Sequence, residues 1–250
     1  MHYLIHISVF LICVFLSSSG FSSIVQPVVI LEEEHHPSWF TQGLFAEPGD
    51  FYISSGKYGS SKLIKQLSDK TLIYPLPSKF FAEGLTIIGD DIYLLTWQEQ
   101  TLFVFDKHSL RLKDQKSYVG EGWGLTHSDG YLIMSNGSNT LQFRNKHTFA
   151  LEKTLDTKIN RLNELEYIEG VIWANRWYDD SIYAIDVNSG CIRARVDLKK
   201  LRASAVEPNQ YNIVNGIAYD RERNALWVTG KYWPKRYLIE MPQLSRGDCL

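Results

Sequence analysis

Cysteine is scarce in this chain. Among 250 residues there are three, Cys13, Cys191 and Cys249, and no Cys-x-x-Cys pair. That spacing excludes the common structural zinc clusters. Cys191 and Cys249 are the two cysteines of the chain body; an oxidising compartment would allow them one bridge, although nothing in their spacing demands it. An excess of positive charge is also missing: 26 Lys and Arg stand against 28 Asp and Glu, a net charge of -2. Without a basic face, nucleic acid is excluded as an expected partner. Beyond residue 25 no run of about 20 apolar residues occurs, so the body offers no candidate spanning helix. Nor does any window sustain a 3.6-residue apolar period over three turns, which argues against long amphipathic helices.

Aromatic residues are plentiful: 7 Trp, 14 Tyr and 12 Phe, or 13% of the chain. The first residues, "MHYLIHISVFLICVFLSSSGFSS", carry an apolar core from Leu4 to Leu16 followed by small residues. The pattern is that of a signal peptide over 1–23, with His2 and His6 where Lys or Arg are usual. The expected product is exported, periplasmic or secreted, with no stable membrane association after cleavage and residues 24–250 forming a single domain. The "EEEHH" run, Glu32 to His36, is expected to be a solvated strand end rather than a metal site.

A repeat dominates the rest. A Gly-Leu step or its variant recurs in "FTQGLF", "FAEGLT", "EGWGLT", "RLNELE" and "IVNGIA". The residues preceding each step are Gln42, Glu83, Trp123, Asn163 and Asn215, at spacings of 41, 40, 40 and 52 residues. The polar excursion "KKLRASAVEPNQYN" accounts for the longer last interval. After each step come short runs rich in β-branched and aromatic residues, bounded by Gly, Asp and Asn, such as "IYLLTW" and "LFVFD". This is strand and hairpin chemistry. Four strands in about 40 residues, repeated five times, predict an all-β, five-bladed β-propeller. The fifth unit has only three strands, and the lone "PVVILEEE" (27–34) is expected to supply its outer strand and close the ring. Closure leaves no unpaired sheet edges at the junction.

In a propeller, the loop into the innermost strand and the loop out of the second strand open on one face. Equivalent positions at those loops therefore form rings around the axis. The first ring is Gln42, Glu83, Trp123, Asn163 and Asn215. The second holds Trp97 and Trp177, which align when Glu83 is set on Asn163, together with Gly56 and Lys231. Phe40 and Phe81 lie two residues before Gln42 and Glu83. Such a set makes an aromatic-walled pocket with few convergent polar groups. A carboxylate there loses solvation, so the Glu83 pKa should rise toward neutrality and suit proton transfer both ways. Of the nearby charges Glu121, Arg161, Glu164 and Glu166, Arg161 and Glu164 are expected to pair structurally, and none is assigned chemistry.

At these residues the sequence resembles the plant-type glutaminyl-peptide cyclotransferases, the family of the papaya latex enzyme and its bacterial relatives. The matching stretches, in order, are "FTQGL", "FAEGLT", "LTWQ", "EGWGLT", "MSNGS", "LNELEY", "ANRW", "NGIAYD" and "LWVTGKYWPK". The chain departs at Arg176 and at "RNKHTF", neither of which is a ring position. The resemblance implies a five-bladed propeller that converts an N-terminal glutamine of peptides or proteins to pyroglutamate with release of ammonia. It implies a pocket of Phe40, Gln42, Phe81, Glu83, Trp97, Trp123, Asn163, Trp177 and Lys231. Glu83 is then the general acid and base, with Lys231, Asn163 or Gln42 donating to the developing oxyanion and the aromatic residues binding substrate. No metal or other cofactor is needed for this chemistry. The competing readings are a metal-dependent propeller lactonase or esterase, and a non-catalytic propeller that binds peptides or glycans.

Overall fold

A computed structural model describes residues 24–244 and Cys249; the expected leader at 1–23 lies outside the described residues. Five sheets surround one axis. Blade 1 is Thr41–Glu47, Asp50–Ser55, Lys62–Gln66 and Thr71–Pro75, and blade 2 is Ala82–Ile88, Asp91–Thr96, Thr101–Asp106 and Leu112–Ser117. Blade 3 is Leu125–His127, Tyr131–Met134, Thr140–Asn145 and Leu151–Asp156, and blade 4 is Leu162–Ile168, Val171–Arg176, Ser181–Asp186 and Ile192–Asp197. Blade 5 is Val214–Asp220, Ala225–Gly230 and Lys235–Glu240, with Val29–Glu34 as its outer strand. Each blade is an antiparallel meander whose first strand is innermost and packs on the first strands of the two adjoining blades.

Closure follows the sequence expectation: Val29 pairs with Ile239 and Glu34 with Lys235. Ile24–Val25 adds a feature that the repeat did not foretell. It pairs in parallel with Ile192–Asp197, so one N-terminal segment stitches blades 4 and 5 together. The polar excursion before blade 5 forms one short helix, Lys199–Ala205. Cys191 and Cys249 are joined as a disulfide, with Cα atoms 5.0 Å apart. The "EEEHH" expectation needs a correction. Glu32 and Glu33 do sit at a strand end, paired with Lys235 and Arg236, but His35 is buried and its Nε2 lies 2.8 Å from Thr41 Oγ1.

The physical cause of the repeat is visible at the axis. A Cβ on Gly43 would lie 2.6 Å from the Leu85 nitrogen, and one on Gly84 2.4 Å from the Leu125 nitrogen. Glycine is required because inner strands of adjoining blades approach backbone to backbone. The ladder slips at the same place in four blades, between Thr41 and Gly43, Ala82 and Leu85, Leu162 and Leu165, and Val214 and Ile217. A bulge there frees one residue from the pleat and re-aims its side chain. Those residues are Gln42, Glu83, Asn163 and Asn215, four members of the first ring; Trp123 stands before Leu125–His127, whose ladder runs without a slip. Away from the axis, blades pack through sheet-to-sheet clusters. Trp173, Trp233, Tyr52, Phe105 and Phe143 are fully buried, each contributing about 2 kcal/mol of apolar burial.

Candidate active site

Nine side chains line one cavity of about 180 Å³: Phe40, Gln42, Phe81, Glu83, Trp97, Trp123, Asn163, Trp177 and Lys231. They are the nine that the family resemblance implies, drawn from the two rings and the Phe residues beside them. The fifth member of the first ring behaves differently. Asn215 is fully buried and turns its amide to the backbone oxygens of Thr41 and Gln42, at 2.9 and 3.3 Å, so it braces Gln42 rather than lining the cavity.

The aromatic walls interlock edge to face. Phe40 meets Phe81 with centroids 6.2 Å apart, Phe81 meets Trp97 at 5.6 Å, and Trp123 meets Trp177 at 5.5 Å. Two glycines make room for them. A Cβ on Gly56 would sit 2.3 Å from the Phe81 ring, and one on Gly137 2.6 Å from the Trp123 ring. Gly137 follows Trp123 by the same 14 residues that separate Glu83 from Trp97 and Asn163 from Trp177. The second ring thus alternates large and absent side chains, and the ring-one Trp123 occupies the space that blade 3 vacates.

The polar members sit at the bottom of these walls. Gln42 Nε2 donates to Glu83 Oε1 at 2.8 Å. Glu83 is 5% exposed, and burial pushes its pKa well above the ordinary carboxylate range. The positive charge of Lys231 and the Gln42 hydrogen bond oppose that rise, while the negative charges of Glu121 and Glu99 add to it. Lys231 is 4% exposed; burial brings its pKa down to about 8, with Glu83 pulling it up and Lys57 pushing it further down. Its ammonium lies 4.4 Å from the centroid of Phe40, and Lys57 Nζ sits 4.3 Å from the same ring. Asn163 is buried, with Oδ1 unpaired among the described residues. The cavity therefore holds a buried carboxyl group that keeps its proton well above the ordinary carboxylate range, a buried ammonium and buried amides.

Two rim residues, Glu99 and Lys57, escaped the repeat logic, and Glu121, named there only as a nearby charge, makes contacts that the repeat did not foretell. Glu99 accepts the Phe81 N–H and the Tyr58 hydroxyl, at 3.2 and 2.7 Å. Lys57 follows Gly56 directly, where attention to the neighbour of an empty ring position would have found it. Glu121 accepts hydrogen bonds from both Trp97 and Trp123. The expected Arg161–Glu164 pairing does not form. Arg161 is exposed, whereas Glu164 is fully buried and accepts the backbone N–H groups of Leu44 and Ile217, at 3.3 and 2.8 Å. Glu164 stands where other units have glycine, and its carboxyl spans the axis to blades 1 and 5. Among the described residues, no group of three or more His, Cys, Asp or Glu side chains is placed to hold a metal ion.

Comparison with known proteins is consistent with this geometry. The sequence profile of the glutamine cyclotransferase family matches residues 8–241. A protein of Arabidopsis thaliana described as glutaminyl-peptide cyclotransferase is 34% identical over 232 residues, covering 87% of this chain and 72% of that one. The crystal structure of Myxococcus xanthus glutaminyl cyclase superposes with a TM-score of 0.79 at 31% identity, covering 90% of this chain and 97% of that one. The WD40 propeller domain of Doa1, at 10% identity and a TM-score of 0.51 over 80% of this chain and 63% of that one, shares the fold alone.

Proposed function

The chain belongs to the glutamine cyclotransferase family, and from that premise we propose how its cavity converts an N-terminal glutaminyl residue of a peptide to pyroglutamate. The observation that carries the reading is the meeting of Glu83, Gln42, Asn163 and Lys231 under one aromatic wall, from blades 1, 2, 4 and 5. A cavity of about 180 Å³ suits one glutaminyl residue and leaves the rest of the peptide outside.

The α-amine of the substrate must be neutral to attack its own side-chain amide carbon. A new N–C bond forms, and the carbonyl oxygen becomes an oxyanion. The C–N bond to the old amide nitrogen then breaks once that nitrogen is protonated, and ammonia leaves. No water is consumed, and one proton moves from the attacking nitrogen to the departing one. Glu83 carries that proton. Its burial matters because a carboxyl group with an ordinary pKa would be a poor acid at neutral pH. Lys231 and the Asn163 amide stand ready to donate to the oxyanion, a contribution of about 3 kcal/mol per well-placed donor. Trp97, Trp123, Trp177, Phe40 and Phe81 exclude water and fold the glutaminyl side chain back on its amine, which lowers the entropic part of the barrier.

Export is part of the same proposal, supported by the apolar leader in the sequence and by the Cys191–Cys249 disulfide. The test is ammonia release from a Gln-Ala dipeptide, with and without a chelator, followed by mass spectrometry of the product. Stoichiometric ammonia together with loss of the free amine is expected, unchanged by the chelator. Binding of the dipeptide without ammonia release would reject catalysis, and loss of turnover on chelation would reject the metal-independent route.

A further inference from the structure

We propose that Glu121 is a positioning residue, whose carboxylate ties two cavity walls from different blades into one arrangement; the role in turnover rests on the cyclisation reading above. Trp97 follows the second strand of blade 2, and Trp123 precedes the inner strand of blade 3. Nothing in the repeat links their ring orientations. Glu121 does so with one atom. Its Oε2 accepts the indole N–H of Trp97 at 2.8 Å and that of Trp123 at 3.0 Å, while Oε1 accepts the Gln98 amide at 3.2 Å.

An indole offers one donor and no acceptor, so its ring angle is set by wherever that N–H finds a partner. An ionised acceptor makes the stronger bond. Although partial burial favours the neutral acid, the bonds from Trp123, Trp97 and Gln98 hold the Glu121 pKa below its ordinary value. The backbone presents the carboxylate from a fixed place. Gly122 N–H donates to the Trp97 carbonyl at 2.9 Å, and a Cβ at Gly122 would meet the Tyr118 hydroxyl at 2.2 Å. The tie propagates, because Trp97 packs on Phe81 and Trp123 on Trp177. Four of the five aromatic walls thus take their orientation from one carboxylate that itself does not line the cavity.

The experiment compares Glu121→Gln and Glu121→Ala in the full chain, with three readouts. The first is the indole ¹H–¹⁵N signals of Trp97 and Trp123, assigned through Trp→Phe variants. The second is kcat and KM for a Gln-peptide, and the third is the acid limb of the pH–rate profile. A glutamine oxygen can still accept both indoles, so Glu121→Gln should keep both signals and retain kcat/KM within roughly fivefold. Removing a negative charge that faces Glu83 should move its acid limb to lower pH. The other groups facing Glu83 (Lys231, Glu99, Gln42, Tyr58 and Tyr118) stay in place. Glu121→Ala should shift both indole signals upfield and lower kcat/KM by roughly 30-fold or more, chiefly in kcat, as expected for walls displaced by about 1 Å. The proposal is overturned if Glu121→Ala leaves the signals in place or keeps kcat/KM within about twofold. Equal loss of activity in both variants, with the signals retained in Glu121→Gln, would make the role one of charge and also overturn it. A wild-type chain without turnover would reject the cyclisation reading instead, and the indole signals would still decide the tie.

Discussion

Gly137→Ala isolates what the placement of one tryptophan contributes to turnover. Gly137 has φ of +78°, in the left-handed region, and a Cβ there would lie 2.6 Å from Trp123 Cζ2 and 2.8 Å from Cε2 and Cη2. Side-chain carbons do not tolerate contacts below 3.0 Å, so the indole must move by about 1 Å to regain van der Waals contact. Two costs follow. The left-handed backbone costs an alanine about 1–2 kcal/mol, which for a chain of this size lowers Tm by roughly 2–8 °C. Displacing the wall costs catalysis about 100-fold if Trp123 positions substrate. Gly170→Ala separates the two. Gly170 has φ of +86° but open space where a Cβ would stand, so it carries the backbone cost alone. Ammonia-coupled kinetics and thermal melts on both variants are the assay. The expected result is a similar Tm loss in each and a rate loss only in Gly137→Ala. Equal rates in the two variants would refute the argument that the position of Trp123 sets turnover.

Other consequences follow from the buried charges. The pH–rate profile should be bell-shaped, with an acid limb well above the ordinary carboxylate range from Glu83 and an alkaline limb near 8 from Lys231; the limbs belong to the coupled pair, and a limb below pH 5 would contradict the burial argument. Lys231→Met should remove the alkaline limb and lower kcat by roughly 100-fold, the usual effect of losing one oxyanion donor, as steady-state kinetics across pH would read. Glu166 has its pKa raised to about 8 by burial, against bonds from Tyr219 N–H and Thr126 and the charge of Arg221. The folded chain therefore holds a proton that the unfolded chain releases, so stability falls as pH rises from about 4.5 to about 8. Glu166→Gln should flatten that decline in urea melts; an unchanged slope would mean that Glu166 ionises normally in the fold.

The parts of this structure legible in the sequence share one property: they recur. Gly43, Gly84 and Gly124 recur because inner strands touch backbone to backbone, and the bulges beside Gly43 and Gly84 each aim one residue at the axis. Reading that register gave Gln42, Glu83, Trp123 and Asn163 together, and the strand-end register gave Trp97, Trp177 and Lys231. Features that occur once were not legible. Glu121 occupies the repeat position of Phe40 and Phe81, but its bonds to two indoles occur in one unit alone, as do the contacts that Glu99 and Lys57 make with Phe81 and Phe40. Ile24–Val25 is too short to show a strand pattern, yet it pairs with blade 4. Glu164 replaces a repeat glycine, and its distance in sequence from Leu44 and Ile217 concealed that its partners are backbone N–H groups across the axis.

Glu83→Gln is the most direct test of the central claim, that a buried carboxyl at position 83 moves the proton during ring closure. The substitution keeps the shape, and the new amide oxygen can still accept from Gln42 Nε2, so the thermal transition should stay within about 2 °C of wild type. Ammonia release from a Gln-peptide should fall by roughly 100- to 10,000-fold, the span attributed to general acid–base catalysis. Turnover within a few fold of wild type would contradict the account, because the proton would then be moving without Glu83.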